Sequence, residues 1–218
     1  IQQDQLDHPP YGTNLTFARD RYVRLHQTSG TTTTPLRWLD TAESWDWFRD
    51  CWSVVLEAAG VTSADRVFVP FSFGPFIGFW GGFEAAIRLG CFVLPGGGMT
   101  TSARLAYLLD HEATVVCCTP TYALRMAEVA AGEGLNLAGS GVRVMIVAGE
   151  PGGGIPATRR RIEAAWGARV FDHSGMTEIG CYGFQCTADP TAMHVLETEF
   201  IPEVIDPGSG SAVADGTE

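Results

Sequence analysis

The chain has 218 residues, 45% of them apolar, with a formal charge of −11, and its 14 basic residues are all Arg. That is enough apolar matter for one large core or two small ones, and no apolar run approaches the roughly 20 residues a membrane-spanning helix needs. The acidic balance argues against a nucleic-acid footprint, and the lack of Lys excludes both a Schiff-base Lys and a Lys-bearing Walker loop.

Six Cys are too few for a disulfide scaffold. The opening IQQDQLDHPPYG lacks the basic-then-apolar pattern of a signal peptide. A soluble, cytoplasmic protein with no nucleic-acid or membrane partner is expected.

Residues 1–18 read as irregular. RYVRLHQ (21–27) alternates like a strand, and PLRWLD (35–40) reads as its return. Trp45, Phe48, Trp52, Val55 and Ala59 follow at steps of 3 and 4, which predicts a helix over 42–59 with Thr41 as its cap and Gly60 as its stop. Strands are then predicted at 66–71, 91–95, 114–119, 142–149 and 168–173. Helices are predicted between them at 78–89, 102–111, 121–131 and 157–166. Cys117 and Cys118 read as buried thiols. VLETEFIPEVI (195–205) returns to β-like alternation, and PGSGS after it reads as a hairpin turn.

Near-continuous apolar strands alternating with amphipathic helices predict an α/β fold. Its doubly wound, mostly parallel sheet would carry helices on both faces, with a β-rich C-terminal segment. The expected division is a core over 1–194 and the start of a truncated β-rich subdomain over 195–218. Such sheets bind ligands beyond the carboxyl ends of their strands, so function is expected in the loops after 71, 95, 119, 149 and 173.

Four stretches in those and neighbouring loops carry chemistry. HQTSGTTTTP (26–35) crowds hydroxyls around Gly30, a composition that lets backbone N–H groups converge on an anion. TPTYAL (119–124), AGEPGGG (148–154) and DHSGMTE (172–178) complete the set. Each alone is weak. Glu178 by itself reads as a carboxylate at a helix start, and HQTSGTTTTP by itself as a solvated turn.

Together, in this order, they resemble the adenylate-forming enzymes, specifically the phenylacetate–coenzyme A ligase branch. FIPEVIDPGSG (200–210) is similar to a stretch of the same branch. The resemblance implies ATP-dependent activation of an aromatic or related carboxylic acid to an acyl-adenylate and then an acyl-CoA. ATP, Mg²⁺ and CoA are implied as partners of the reaction. It implies phosphate contacts from Ser29, Gly30, Thr31, Thr32 and Thr33. It puts the adenine and ribose against Gly149, Glu150 and Pro151, with Asp172, His173, Ser174, Gly175 and Met176 completing the nucleotide site. Thr177 would touch the α-phosphate and Glu178 would hold Mg²⁺. Phe73, Phe76, Phe79 and Ala148 would line the acid pocket. A zinc site of Cys181, Cys186 and His194, short of a fourth ligand, is open beside the reading of free thiols.

The chain departs from the branch in places. Where the pattern has Gly-Lys, it carries Thr33-Thr34; Arg24 or Arg37 would be unequal substitutes. Ser174 stands where the pattern has an adenine-stacking Tyr. The chain is also shorter than members of the branch, and is expected to be the core of the large domain, unable to complete thioester formation alone. A non-catalytic acid- or nucleotide-binding protein on the same fold is the alternative. The identity of the acid and the oligomeric state, a homodimer included, are not legible.

Overall fold

Within each central strand, successive side chains alternate between two cores. The computed structural model describes residues 1–28, 30 and 34–213. Strands β3 (Arg66–Val69), β4 (Phe92–Pro95), β5 (Val115–Cys118), β6 (Val144–Val147) and β7 (Arg169–Met176) pair in parallel, in the order β4-β3-β5-β6-β7. Val67, Val69, Val115, Cys117, Val144, Ile146 and Phe171 enter one core; Phe68, Val116, Cys118, Met145, Val147 and Val170 enter the other. Both faces are therefore covered, which is why these strands read as unbroken apolar runs.

The first core is closed by α2 (Ala42–Ala58) and α3 (Trp80–Arg88), the second by α4 (Thr101–Asp110), α5 (Pro120–Gly132) and α6 (Pro156–Trp166). Thr41, Thr100 and Thr119 cap α2, α4 and α5, each accepting a backbone N–H from three residues on; such caps contribute about 1 kcal/mol each. The chain winds outward from β3 to β4 and returns to β5 on the other edge of β3, so helices pass to opposite faces. This is the doubly wound, mostly parallel architecture that the alternation predicts. A two-stranded antiparallel ribbon, β1 (Tyr22–Gln27) and β2 (Arg37–Thr41), precedes it.

Four expectations need correction. Residues 1–18 contain a short helix, α1 (Gln2–Asp7), where the Asp4 carboxylate accepts from Thr13 N, Thr13 Oγ1 and Asn14 Nδ2 and ties the following loop back. DHSGMTE is not a loop: β7 continues through Met176 and turns into an unforeseen strand, β8 (Gly180–Phe184). The strands β8 and β9 (His194–Val195) extend the same sheet antiparallel, so a boundary at 194/195 would cut β9. Past β9 the expected alternation yields only a bridge between Ile205 and Ala212 around a turn closed by Asp206; Ile201, Val204 and Ile205 are exposed.

At the amino ends of the strands, buried Asp65 accepts from Thr62 N, Thr114 Oγ1 and the Arg143 guanidinium, which also reaches Gly60 O. Burial pushes its carboxyl up, but these bonds outweigh it and hold the pKa below the usual carboxylate range.

Close approach of α2 and α3 depends on Gly81 and Gly82. A Cβ on Gly81 would lie 2.3 Å from Phe48 Cε1 and 2.5 Å from Trp52 Cδ1. The two glycines thus admit the aromatic face of α2. Gly81→Ala is expected to displace Phe48 and Trp52 and to lower stability by about 1–3 kcal/mol, measured by urea unfolding. An unchanged midpoint would contradict this packing.

Candidate functional site

Trp52, fully buried, is the wall around which the site is built. Its ring centroid lies 4.4 Å from that of His173 on β7 and 6.1 Å from that of Phe79. These three, with Phe48 of α2, bound a cavity of about 260 Å³. Its remaining walls come from the loop after β3 (Ile77, Gly78), the end of β6 (Ala148, Gly149) and the β7–β8 hairpin (Gly175 to Glu178, Gly180, Cys181). It lies at the carboxyl ends of parallel strands, as expected for this architecture.

The hairpin geometry explains how Thr177 and Glu178 reach it. Met176 pairs with Gly180, leaving Thr177, Glu178 and Ile179 as the turn. Gly180 has φ +86°, the left-handed conformation that lets a three-residue turn return into its strand. Glu178 is therefore on a hairpin tip rather than at a helix start. Gly149, with φ +90°, makes the corresponding sharp exit from β6.

The polar groups have distinct settings. His173 is buried, and its Nδ1 lies 2.8 Å from Gly183 O. A carbonyl only accepts, so Nδ1 carries the proton. Burial pushes the His173 pKa down to about 4 against the opposing effect of that bond, so the ring is neutral near pH 7. Asp172 points to the other face of the sheet. A Cβ on Gly153 would come within 2.5 Å of its Oδ1, so the glycine run in AGEPGGG makes room for this carboxylate. Burial raises the Asp172 pKa, and the Gly154 N–H and Arg159 only partly offset it. Glu150 accepts from Thr121 N at 2.7 Å and from the Thr121 hydroxyl, which ties the AGEP loop to the first turn of α5, where TPTYAL lies instead of forming a loop.

Of the expected site residues, the cavity gathers Phe79, Ala148, Gly149, His173, Gly175, Met176, Thr177 and Glu178. Asp172, Ser174, Glu150 and Pro151 do not line it. Nor do Phe73 and Phe76: Phe73 packs edge-on against Trp80 and Phe83, and Phe76 is exposed. Ser29, Thr31, Thr32 and Thr33 lie outside the described residues. The base of their segment is held by Gln27 N donating to Pro75 O at 2.7 Å and Thr28 N to Leu36 O at 3.0 Å, and Gly30 has φ +63°. Gln27 thus joins this segment to the loop after β3. His26 is buried in the ribbon, stacked on Trp45, with Nδ1 3.6 Å from Asp40 Oδ2.

The zinc grouping is not assembled. Cys181 is buried in the first core, while Cys186 Sγ and His194 Nε2 are 3.1 Å apart outside it. Among the described residues, no group of three or more His, Cys, Asp or Glu is arranged to hold a metal. The physical reason is placement: Cys181 packs into the apolar first core, where burial pushes its thiol pKa well up, apart from Cys186 and His194.

Phe48, Trp52 and Gly180 escaped sequence reasoning, and Ile77 and Gly78 were not singled out within the run expected to shape the acid pocket. Periodicity marks Phe48 and Trp52 as buried but not as facing a cavity. The glycine-aromatic run at 71–82 was the available signal for Ile77 and Gly78.

The family profile described as "AMP-binding enzyme" matches residues 13–217. The chain belongs to this family. It is 30% identical over 217 residues to a phenylacetate–coenzyme A ligase of Pseudomonas putida, covering 99% of this chain and 49% of that enzyme. The phenylacetate–coenzyme A ligase of Escherichia coli (strain K12) is 29% identical over 218 residues, with the same coverage. A solved open conformation of 2-hydroxyisobutyryl-CoA ligase, in complex with 2-HIB-AMP and CoA, superposes with a TM-score of 0.91 at 26% identity. That match covers 98% of this chain and 50% of the ligase. The chain thus spans about half the length of the relatives it matches. No helix among the described residues is long and apolar enough to cross a membrane.

One titration follows from the site. The folded-state pKa of His173 is about 4 against an ordinary value of 6.5, so between these values the unfolded chain binds a proton that the folded chain does not. The contribution of this residue to stability is complete above pH 6.5 and declines as pH falls toward 4. His173→Leu is expected to flatten the pH dependence of the unfolding free energy in that window. An identical slope in both proteins would contradict the assignment.

Proposed function

We propose that this chain supplies the acid- and nucleotide-binding part of an AMP-forming carboxylic acid–CoA ligase. The supporting observation is the hairpin tip: Thr177 and Glu178 border the same cavity as Phe79, Ala148 and Gly149. An apolar acid seated against Trp52 and Phe79 has its carboxylate at the polar rim formed by the tip.

In the first step a carboxylate oxygen bonds to the α-phosphorus of ATP, and the bond from that phosphorus to the bridging oxygen breaks. Pyrophosphate leaves with the electron pair. In the second, the thiolate of CoA attacks the acyl carbon and AMP leaves. The protein's part in the first step is to position the reactants and to oppose developing charge. Thr177 is read as a donor to the α-phosphate, and the hydroxyl-rich segment from Ser29 to Thr33 as the cradle for the other phosphates. Magnesium would neutralise phosphate charge when bound. It takes one or two carboxylates and keeps several waters, so Glu178 as the single acidic ligand on this rim fits it. The apolar walls exclude water from the acyl group.

The relatives' names point to small carboxylic acids, aromatic in phenylacetate and hydroxylated in 2-hydroxyisobutyrate. A second reading, binding without turnover, draws on the absence of Lys anywhere in the chain, which leaves Thr33-Thr34 where the branch has Gly-Lys.

Equilibrium binding of Mg-ATP and pyrophosphate release across a panel of aromatic acids test both. Mg-ATP is expected to bind, and Glu178→Gln to weaken it by about tenfold, the range of a charge-assisted contact. Acid-dependent pyrophosphate release supports the ligase; nucleotide and acid binding without release supports the second reading. Failure of the folded chain to bind Mg-ATP at millimolar concentration defeats both. Ala148→Leu is expected to fill the cavity and abolish acid binding while leaving Mg-ATP affinity within about twofold, read by calorimetry. Acid binding at unchanged affinity would remove the cavity from the account.

A further inference from the structure

Resting on the reading of the Trp52–His173 cavity as the acid site, we propose that His173 makes it selective for carboxylic acids that carry a hydroxyl or amino hydrogen-bond donor on their apolar body. The argument begins with the tautomer. Nδ1 donates to Gly183 O at 2.8 Å, so in the neutral ring Nε2 keeps its lone pair and can only accept. Nε2 has no hydrogen-bond partner among the described residues. Neither is it one of the sealed, unpartnered side-chain nitrogens, which among the described residues are His26 Nδ1, Arg49 Nε and Trp52 Nε1. His173 lines the cavity, and a Cβ on Gly175, another wall residue, would lie 3.4 Å from Nε2. The free acceptor is thus on the cavity side of an otherwise buried ring.

The surroundings make that acceptor selective. Phe48, Trp52, Ile77, Phe79 and Ala148 supply apolar walls that offer it no donor. Trp52 has an N–H, but that nitrogen is sealed from solvent and has no partner, so it makes no hydrogen bond to Nε2. The backbone bond to Gly183 fixes the ring orientation, so Nε2 cannot be exchanged for Nδ1 by a ring flip without losing that bond. An all-apolar acid filling the cavity strips water from Nε2 and leaves it unpaired. An acid with a correctly placed O–H or N–H replaces that water. Shape alone discriminates a methylene by about 10–200-fold and tolerates an extra hydroxyl, whereas a buried acceptor left unpaired penalises the acid that lacks the donor, a preference of a different kind.

The test is calorimetric binding of matched acids to the 218-residue chain: benzoate and phenylacetate, their ring-position series of hydroxy and amino derivatives, and the corresponding methyl ethers. At least one donor-bearing acid is expected to bind about tenfold or more tighter than both its parent and its methyl ether, and His173→Leu is expected to erase that preference. Long-range ¹⁵N–¹H spectra of wild-type protein give a second readout that needs no variant: the Nε2 resonance shifts with the donor-bearing acid and not with its methyl ether. Equal binding of all members, a preference that survives His173→Leu, or an Nε2 resonance unmoved by the preferred acid overturns this inference and leaves the acid site standing. Absence of binding by every acid overturns the acid site, and this inference with it.

Discussion

The packing of one indole ring organises the rest. Trp52 is held between the glycine pair of α3 and the His173 ring of β7, and so it joins a helix, its neighbour and the sheet. Truncating an aromatic in such a position typically costs about 3–5 kcal/mol, a large share of a domain's net stability. The same contact forms one wall of the cavity. Core and site are therefore not separate parts of this molecule: the face of α2 that stabilises the fold is the face that shapes the space for a ligand.

The site combines rigid walls with backbone-determined openings. Gly149 and Gly180 adopt left-handed conformations at the two places where the chain must leave or re-enter a strand beside the cavity. Because Gly180 returns the chain directly into β8, Thr177 and Glu178 are carried on a short hairpin rather than on a long loop. A ladder of hydrogen bonds supports them, which suits groups that must meet a charged ligand at a defined distance. On the opposite face, Asp172 sits against Gly153 and Gly154, so successive residues of β7 serve different surfaces.

Much of the fold was legible. The cap at Thr41, the helix that follows it and the five parallel strands all follow from periodicity, turn residues and buried strand composition. The hairpin of β7 and β8 was not. GMTEIG looks like a loop because its glycines and Thr177 are turn formers; Thr177 to Ile179 do turn, but pairing with β8 draws Gly175, Met176 and Gly180 into the ladder. Likewise 195–205 alternates like a strand but has little to pair with past Val195 among the described residues. For the site, Phe79, Ala148, Gly149, His173 and Gly175 to Glu178 could be named, because unusual residues at the ends of predicted strands stand out. Phe73 and Phe76 belong to the same aromatic run but are turned elsewhere, since composition does not encode the direction of a side chain in a loop.

By itself the sequence determined the architecture, through the period of its apolar residues, and the family, through an ordered set of short motifs. Only the tertiary structure decided which of those residues share a cavity, that two helix aromatics close it, and that Cys181 is buried apart from Cys186 and His194. The reason is physical. Periodicity and turn chemistry are local properties of the chain, whereas a cavity and its polar atoms are made by residues distant in sequence whose approach is set by packing.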